Sequence, residues 1–325
     1  MQDQQSYSQG GRKRPLISFI VTSYNMPVEL LKECIESIVA LNLRPDEREI
    51  IVVDDGSQTS PIDSLGDLRT EIVYIRQKNE GLSVARNNGM RISTGRYMQF
   101  VDGDDRLLKD AYEMCLAILK DQQPDMLLFH LTTKDKSSTS TVNAEEAVSG
   151  AAYMHNNNLR ASACGYIFSR MTLSTLQFTP GLLHEDEEFT PLLLLRTERL
   201  ISTDAQAYFY RQREDSLTHE NETQHHAQRL ADTERILFKL QDIASKLPEF
   251  ERVALSRRIA QLTMDYLYHV MKIGHGNNML DETIERLRAK GLFPLPDKGY
   301  TKKYSLFRMM TNSGAGRKFL QTVIR

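Results

Sequence analysis

The sequence predicts an α/β fold in which a mostly parallel sheet is flanked by helices and followed by a C-terminal helical appendage. From Pro15 onward, short β-branched or aliphatic runs alternate with longer stretches of helical period. This alternation is typical of βαβ units, whose strands lie parallel. Past residue 220 only long amphipathic helical patterns remain, and these predict the appendage.

The predicted elements follow in a regular order. The stretch from Val28 to Leu41 carries the helical signal well, because its apolar side chains recur on one side and its charged ones on the other. We predict strand 16–21, helix 28–41, strand 49–53, strand 72–75, helix 81–93, strand 96–101, helix 108–122, strand 126–131, helices 223–246, 248–273 and 280–290, and a tail near 303–323.

The length of 325 residues favours two domains, since a domain usually takes about 150 residues. Residues 1–14 are polar and lack the apolar stretch of a secretory signal, so we interpret them as a disordered tail. Residues 15–220 form the predicted α/β domain and residues 221–325 the helical region. The polar segment 134–143 predicts a surface loop.

Composition excludes several classes of protein. The formal net charge is −2, whereas a dedicated nucleic-acid binder is usually strongly basic, so we expect no nucleic-acid partner. Cys34, Cys115 and Cys164 lie far apart among apolar neighbours, a pattern typical of buried free thiols in a reducing compartment. The longest apolar runs are far shorter than the roughly 20 residues that span a bilayer. We therefore expect a cytoplasmic protein.

The densest acidic cluster is FVDGDDR at 100–106, where an apolar strand leads three carboxylates into a turn. Carboxylates this close raise one another's pKa, so we expect a cation beside them. Mg²⁺ or Mn²⁺ held by one or two carboxylates and by substrate phosphates satisfies this need. A solvated acidic turn that caps helix 108–122 is the alternative. An EF-hand is excluded, since Arg106 and Leu107 stand where an oxygen ligand and a glycine are required.

Two further segments follow predicted strands. Asp54 and Asp55 come after EIIVV, where a carboxylate can accept hydrogen bonds from a nucleobase or a ribose, although a turn cap explains them equally well. In NEGLSVARNNGM, Gly81 opens a helix that carries Arg86, and a helix N-terminus with a guanidinium suits a diphosphate. A surface ion pair is the alternative for Arg86.

The last acidic cluster is HEDEEF at 184–189. Acids near a helix start are commonly caps. A site that binds phosphate and metal also needs a separate base to activate the incoming nucleophile, and this cluster can provide one.

Taken in order, IVTSYN, VVDDGS, NEGLSVARNNGM, FVDGDD, HEDEEF and YFYRQREDSLT resemble the family 2 glycosyltransferases. The resemblance covers about residues 15–220. It implies the GT-A fold, a Rossmann-like nucleotide-binding sheet. It also implies transfer of a sugar from a nucleoside diphosphate sugar, with a UDP-sugar as the expected donor, and inversion at the anomeric carbon.

The resemblance also implies roles for seven residues. In the nucleotide site, Thr22 and Tyr24 would lie at the base, with the Tyr24 ring packed on it, and Asp54 would pair with the base or the ribose. Asp102 would lie near the ribose and Arg86 on the pyrophosphate side. Asp104 would lie near the divalent cation, Mg²⁺ or Mn²⁺, and Asp186 would be the catalytic base. Asp186 would remove the acceptor hydroxyl's proton during a single in-line displacement. The roles of Asp105 and His184 stay open.

Two departures from the family bear on specificity. Processive members carry a Gln-x-x-Arg-Trp motif and membrane-spanning helices, whereas this sequence has no tryptophan and no spanning segment, so we expect a non-processive enzyme. The segment QREDSLTH resembles the acceptor-side or lid segment of soluble members. There Ser216 and Thr218 are candidate donor contacts, and His219 is either a third metal ligand or a surface histidine.

The expected function is surface polysaccharide biosynthesis on a carbohydrate or lipid-linked acceptor. Two alternatives stay open: a nucleotide-sugar-binding protein that has lost transfer, and a nucleotidyltransferase or phosphohydrolase on a related sheet. Retention of Asp54, Asp104 and Asp186 argues against the first. The lack of a Gly-rich phosphate loop near the N-terminus argues against a nucleotidyltransferase.

The C-terminal segment 298–325 has an unusual charge. It contains seven basic residues and no acid, and apolar residues alternate with the basic ones. This composition is typical of a segment that lies on an anionic membrane surface, here the inner face of the membrane. The alternative is a terminal helix docked on the preceding helices with a solvated basic face.

Overall fold

The computed structural model describes residues 14–135, 141–212, 222–273 and 278–324, which form two compact units. The first unit contains the described residues up to Val148 together with Ala163–Gly181 and Thr197–Gln212. The second contains Ser149–Ser162, Leu182–Arg196 and the described residues from 222 onward. The division into 1–14, 15–220 and 221–325 stays a prediction, since its boundary near residue 220 lies outside the described residues.

The described residues contain strands, α-helices and one 3₁₀ segment, Ile62–Thr70. In chain order the strands and α-helices are β1 Ile17–Ser23, α1 Val28–Val39, β2 Arg48–Asp54, β3 Val73–Arg76, α2 Leu82–Ile92, β4 Tyr97–Asp102, β5 Arg106–Leu107, α3 Lys109–Gln122, β6 Met126–Thr132, α4 Gly150–Asn156, β7 Tyr166–Ser169, α5 Arg170–Leu173, α6 Asp186–Leu194, β8 Leu200–Phe209, α7 Glu222–Ala244, α8 Glu249–Ile273, α9 Met279–Ala289, α10 Lys302–Thr311 and α11 Gly314–Val323.

The predicted strands and helices are confirmed, with ends that differ by at most two residues. The predicted tail near 303–323 is two helices, α10 and α11, because Ser313 caps a new helix by accepting a hydrogen bond from the Gly316 amide. Strands β5, β7 and β8 are absent from the predicted elements. Strand β7 has only four residues, too few to establish a period, and its hydrogen-bond partners come from distant segments of the chain.

All eight strands belong to one sheet of the first unit, in the order β3-β2-β1-β4-β7-β6-β8-β5. Strands β3, β2, β1 and β4 run parallel, as do β6 and β8. Strand β7 joins β4 to β6 through two antiparallel pairings, and β5 pairs antiparallel with β8. The predicted α/β class with a mostly parallel sheet is therefore confirmed.

Strand β1 occupies the centre of the parallel half, and all seven of its residues are buried. Central strands of a parallel sheet are covered on both faces, which explains why the polar residues of this strand are buried along with the apolar ones. Because β2 and β4 flank β1 in register, Ser23 pairs with Asp54 and Thr22 with Asp102. As predicted, three polar strand ends therefore meet at one edge of the sheet.

The second unit has its own apolar core, to which the long helices contribute most of the buried side chains. Leu237 and Leu240 of α7, Leu255 and Leu267 of α8, and Leu287 of α9 have no exposed surface. Helices α10 and α11 join this core through Tyr304, Phe307 and Leu320. The predicted helical region therefore folds around buried aliphatic stripes.

Cys34, Cys115 and Cys164 are buried and free, as predicted. Burial raises the pKa of each thiol, so the thiolate forms are disfavoured. Among the helices of the described residues, none is long and apolar enough to cross a membrane.

Candidate functional site

The carboxyl edge of β1, β2 and β4 holds most of the predicted site residues. Thr22 lies at the end of β1, Asp54 at the end of β2 and Asp102 at the end of β4. Ligands of open α/β sheets bind beyond the carboxyl ends of the strands. The turn after β4 packs closely on β1, where the Gly103 amide donates to the Thr22 carbonyl. A Cβ at Gly103 would lie 2.8 Å from that carbonyl oxygen, so only glycine fits there.

Arg86 and Asp102 form a buried ion pair at this edge. The Arg86 side chain projects from α2, the residue is only 4% exposed, and its Nη2 donates to Asp102 Oδ1 at 3.0 Å. The guanidinium also stacks over the rings of Phe100 and Phe178, at 5.6 and 5.5 Å from their centroids. Arg86 is thus held rigidly with its charge on Asp102, and its contact with a pyrophosphate stays a prediction.

Asp105 is a buried part of the same turn. Its Oδ2 accepts from the Tyr208 hydroxyl at 2.7 Å and its Oδ1 from the Arg211 amide at 2.8 Å. Burial and the charge of Asp102 together raise the pKa of Asp105 to about 8, although the two hydrogen bonds oppose this rise. Near neutral pH the Asp105 carboxyl therefore holds a proton for much of the time, which lowers the negative charge of the cluster.

Tyr208 and Arg211 are functional-site residues to which the sequence analysis assigns no role. The Tyr208 hydroxyl donates to Asp105 and accepts from the Asp102 amide at 3.0 Å, so one buried phenol holds two residues of the cluster. Arg211 Nε donates to the Asp104 carbonyl at 2.8 Å, and its Nη2 donates to Glu33 of α1 at 2.6 Å. Both residues belong to YFYRQREDSLT, so this motif was the sequence feature that could have pointed to them.

Of the two acids after β2, Asp54 is the more deeply buried. It has no exposed surface, its Oδ1 accepts from the Ser57 amide, and its Oδ2 accepts from the Tyr74 hydroxyl at 2.8 Å. Arg76 Nε lies 3.4 Å from the same oxygen. A nucleobase or ribose contact of Asp54 stays a prediction and would require a rearrangement of these bonds.

Asp55 organises the next helix. Its two oxygens accept from the amides of Glu80 and Gly81, each at 2.9 Å, so its carboxylate caps the start of α2. The turn between these segments requires glycine at Gly56, whose φ is +77° and whose added Cβ would lie 2.6 Å from the Asn79 amide. This cap places α2, and therefore Arg86, against the sheet.

Thr22 and Tyr24 differ in their exposure. Thr22 is 8% exposed and its backbone is bonded to the turn after β4, whereas Tyr24 is 41% exposed. An exposed ring beside the strand ends is suited to packing on a flat ligand. The nucleobase contacts predicted for both residues are not tested by this geometry.

Asp186 belongs to the second unit, where it is the first residue of α6. The two acids that follow it are engaged in ion pairs, Glu187 with Arg258 and Glu188 with Lys239. Arg258 is 6% exposed, and burial lowers its pKa to about 10 while the charges of Asp265 and Asp186 oppose this change. Arg258 is thus a buried cation in the field of Asp186, and the role of Asp186 as the base stays a prediction.

Among the described residues, no group of three or more His, Cys, Asp or Glu side chains is arranged to hold a metal ion. Asp102 and Asp104 are the candidate ligands at this turn, and Asp102 Oδ1 is paired with Arg86. The Asp102 side chain is 36% exposed. Mg²⁺ is usually held by one or two carboxylates and by substrate phosphates, so two carboxylates fit this ion once a donor diphosphate is bound.

Ser216, Thr218 and His219 lie outside the described residues, as do residues 136–140 of the predicted loop 134–143.

Comparison with known proteins identifies the class. Residues 18–174 match the family Glycosyl transferase family 2. The glycosyltransferase GlyA of Streptococcus pneumoniae is 30% identical over 62% of this chain and 31% of its own length. The poly(ribitol-phosphate) beta-glucosyltransferase of Bacillus spizizenii is 33% identical over 34% of this chain and 18% of its own length. The chain thus spans less than a third of either relative.

Two solved structures share the fold. The structure of S. aureus TarS residues 1–349 in complex with UDP-GlcNAc has a TM-score of 0.65 and 19% identity, covering 95% of this chain and 90% of that one. Mannosyltransferase PcManGT from Pyrobaculum calidifontis, in complex with GDP-Man and Mn²⁺, has a TM-score of 0.56 and 15% identity, covering 96% of this chain and 87% of that one.

The sheet therefore has the GT-A fold. Residues 18–174 form a domain of the family 2 glycosyltransferases.

The bonds of Tyr208 allow a direct test of the acidic turn. In Tyr208→Phe, the buried Asp102 amide and Asp105 carboxyl each lose a partner, so we expect the free energy of unfolding to fall by about 1–3 kcal/mol. Urea denaturation of the full chain measures this change. Tyr112→Phe is the matched control, because the Tyr112 hydroxyl is buried with no hydrogen-bond partner among the described residues. Equal losses in the two variants would contradict the bracing role of Tyr208.

Proposed function

We propose that this protein transfers a sugar from a nucleoside diphosphate sugar, with UDP as the expected nucleotide, to an acceptor hydroxyl in surface polysaccharide biosynthesis. The observation that carries the proposal is the convergence of Arg86, Asp102 and Asp104 at the carboxyl edge of a GT-A sheet. The nucleotide sugars in the TarS and PcManGT complexes support this class of donor. The names of the TarS ligand and of the Bacillus spizizenii relative support UDP and a surface-polymer acceptor.

The proposed reaction is one displacement with inversion. Asp186 accepts the proton of the acceptor hydroxyl while the acceptor oxygen forms a bond to the anomeric carbon. The bond from that carbon to the diphosphate oxygen breaks at the same time, and the nucleoside diphosphate leaves with the electron pair. A base in this position typically contributes about 10²–10⁴-fold to the rate.

A divalent cation held by Asp102 and Asp104 would offset the charge of the donor diphosphate when bound. Two arginines hold the acidic turn in place for this interaction. Arg86 holds Asp102 in one orientation, and Arg211 binds the backbone of the turn at Asp104.

Two alternatives remain for experiment, a binding protein without transfer and a nucleotidyltransferase or phosphohydrolase. A panel of sugar nucleotides assayed for the released nucleotide separates them. Transfer releases a nucleoside diphosphate, cleavage within the diphosphate releases a nucleoside monophosphate, nucleotidyl transfer releases pyrophosphate from a nucleoside triphosphate, and a binding protein releases nothing.

The metal role of Asp104 gives one prediction. In Asp104→Asn we expect turnover to fall on the order of 10²-fold or more, since a catalytic metal supplies several kcal/mol of charge stabilisation. Nucleotide binding, measured by calorimetry with and without Mn²⁺, should lose its metal dependence. Asp110→Asn, an exposed acid in the first turn of α3, is the control and should leave both readouts unchanged. Full activity of wild-type protein in excess chelator would overturn the metal requirement.

The base role of Asp186 gives another. Asp186→Asn should keep its affinity for the donor while kcat falls about 10²–10⁴-fold, because the proton is transferred only in the transition state. Steady-state kinetics and donor titration of the same preparation measure the two effects. Asp281→Asn places the same change in the first turn of α9, so it controls for helix N-terminal charge. A weakened donor affinity with kcat preserved would assign Asp186 to binding instead.

We also propose that the C-terminal helices rest on an anionic membrane surface. Four large apolar side chains of α10 and α11 are exposed by 57–62%, namely Leu306, Met309, Phe319 and Val323. The opposite faces of these helices join the core of the second unit. Lys302, Lys303 and Lys318 are exposed on the same two helices, so an apolar surface with basic neighbours results. This combination complements anionic lipid headgroups.

Vesicle binding tests this proposal. The full chain should sediment with vesicles containing phosphatidylglycerol, less so at high salt, and weakly with phosphatidylcholine alone. Met309→Gln combined with Phe319→Gln should weaken binding about tenfold, since each apolar side chain loses its burial in lipid. Met171→Gln with Phe250→Gln makes the same exchange at exposed positions elsewhere. Equal binding of the two double variants would contradict the membrane role of α10 and α11.

A further inference from the structure

The second unit contains a cavity of about 780 Å³ that the proposed mechanism does not use. Its walls come from the start of α6 and from α7 and α8, and all of its lining residues belong to the described part of this unit. Cavities of about 300–1,000 Å³ are typical of small-molecule sites. The volume is therefore sufficient for one or two sugar or polyol residues.

Nitrogen-bearing side chains dominate the polar lining of this cavity. They are His184 before α6, His226 and Arg229 of α7, and His269 and Lys272 of α8. Arg229 and Lys272 carry fixed positive charge at neutral pH. Five potential hydrogen-bond donors thus converge from three different segments of the chain.

Two acids near this cavity, Glu187 and Asp232, have partners within the second unit. Glu187 is held in an ion pair with buried Arg258. Asp232 accepts from the Leu183 amide and from Gln228, both at 3.1 Å. Burial raises the pKa of Asp265, although Arg258, Lys303 and His269 oppose the rise. Arg229, Lys272 and the adjacent buried Arg258 outnumber the lining acids Glu187 and Asp265, and this balance favours an anionic ligand over a cationic one.

The histidines add directional donors or acceptors. The Nδ1 of His269 lies 2.8 Å from the Asp265 carbonyl, and a carbonyl only accepts, so this nitrogen carries a proton. The other ring nitrogen, Nε2, then accepts a hydrogen bond from a hydroxyl when the ring is neutral. Burial and the charge of Arg229 lower the pKa of His184, so the neutral form of that ring is favoured. Neutral imidazoles beside fixed cations suit a ligand that carries both hydroxyls and an oxyanion.

The cavity lies beside the segment that contains the candidate base, Asp186. His184 and Glu187 line the cavity, and Asp186 lies between them in the sequence at the first residue of α6. A molecule bound in the cavity would therefore lie beside the segment that, in the proposed function, activates the acceptor. The donor residues Arg86, Asp102 and Asp104 belong to the other unit.

We propose that this cavity binds the acceptor, through an oxyanion on a polyhydroxylated chain that Arg229 and Lys272 recognise. The identification of the bound molecule as the acceptor rests on the proposed function, whereas binding of an anion in the cavity does not require sugar transfer. The oxyanion is either a phosphate of a polyol-phosphate chain or a carboxylate of an acidic sugar. Both present oxygen atoms that a guanidinium and an ammonium bind, and hydroxyls that the histidines bind.

Calorimetric titration of the full chain tests this site. The probes are ribitol 5-phosphate, glucuronic acid and, as the neutral comparison, ribitol. We expect one or both anionic probes to bind and ribitol to bind at least about tenfold more weakly, since a charge-assisted hydrogen bond is worth about that factor. The stronger of the two anions identifies the source of the oxyanion.

Charge-removing variants locate the binding. Arg229→Gln and Lys272→Gln should each weaken the bound anionic probe about tenfold and leave UDP binding unchanged. Arg235→Gln on α7 and Lys246→Gln after it are the controls, since both residues are exposed and neither lines the cavity. Circular dichroism of all four variants checks that the helical unit is folded.

Three outcomes would overturn the inference: no binding of either anion, equal losses in the control variants, or loss of UDP binding in Arg229→Gln. The last would make the cavity part of a nucleotide site. If the anions bind as expected but no sugar nucleotide supports turnover, the proposed function fails while the anion site stands. The two failures are therefore distinguishable.

Discussion

Three carboxylates at the end of one buried strand repel one another, and the surrounding residues are arranged to offset that repulsion. Arg86 neutralises Asp102 with a buried guanidinium, while Asp105 keeps a raised pKa and is bonded to the Tyr208 hydroxyl and the Arg211 amide. The backbone of the turn is held in addition by Arg211 at Asp104. Helix α2, strand β8 and the segment after β8 are thus all tied to the same turn, since each supplies one of these partners.

The acidic turns after β2 and β4 share one arrangement, in which one acid of each turn is hydrogen-bonded to another part of the protein. At each turn one acid binds the protein itself, Asp55 capping α2 and Asp105 joining β8 to the turn. Such buried carboxylates are stabilising only while their oxygens have partners. At the β4 turn Asp102 is paired with Arg86 while its side chain stays 36% exposed, whereas at the β2 turn Asp54 has no exposed surface. The acids of the sheet edge therefore serve structure as much as binding.

The near-neutral net charge of −2 conceals a separation of charge along the chain. The strand ends of the first unit concentrate carboxylates, whereas the helices α10 and α11 carry basic residues and no acid. Separated patches of this kind create local potentials that net charge does not reveal.

The sequence by itself determined most of the strands and helices, because the spacing of apolar residues along the chain is a local property. It also determined that acidic residues meet at one edge of the sheet, because parallel strands end at a common edge. It also determined that three clustered acids needed compensation. Only the tertiary structure decided which partners supply it: Tyr208 lies 103 residues from Asp105, and Arg211 lies 178 residues from Glu33. Likewise, Asp54 and Asp55 are adjacent acids that the sequence does not distinguish. In the structure Asp54 is bonded to Tyr74 and Arg76, whereas Asp55 binds the start of α2. No local pattern encodes such pairs, because they depend on how distant segments pack.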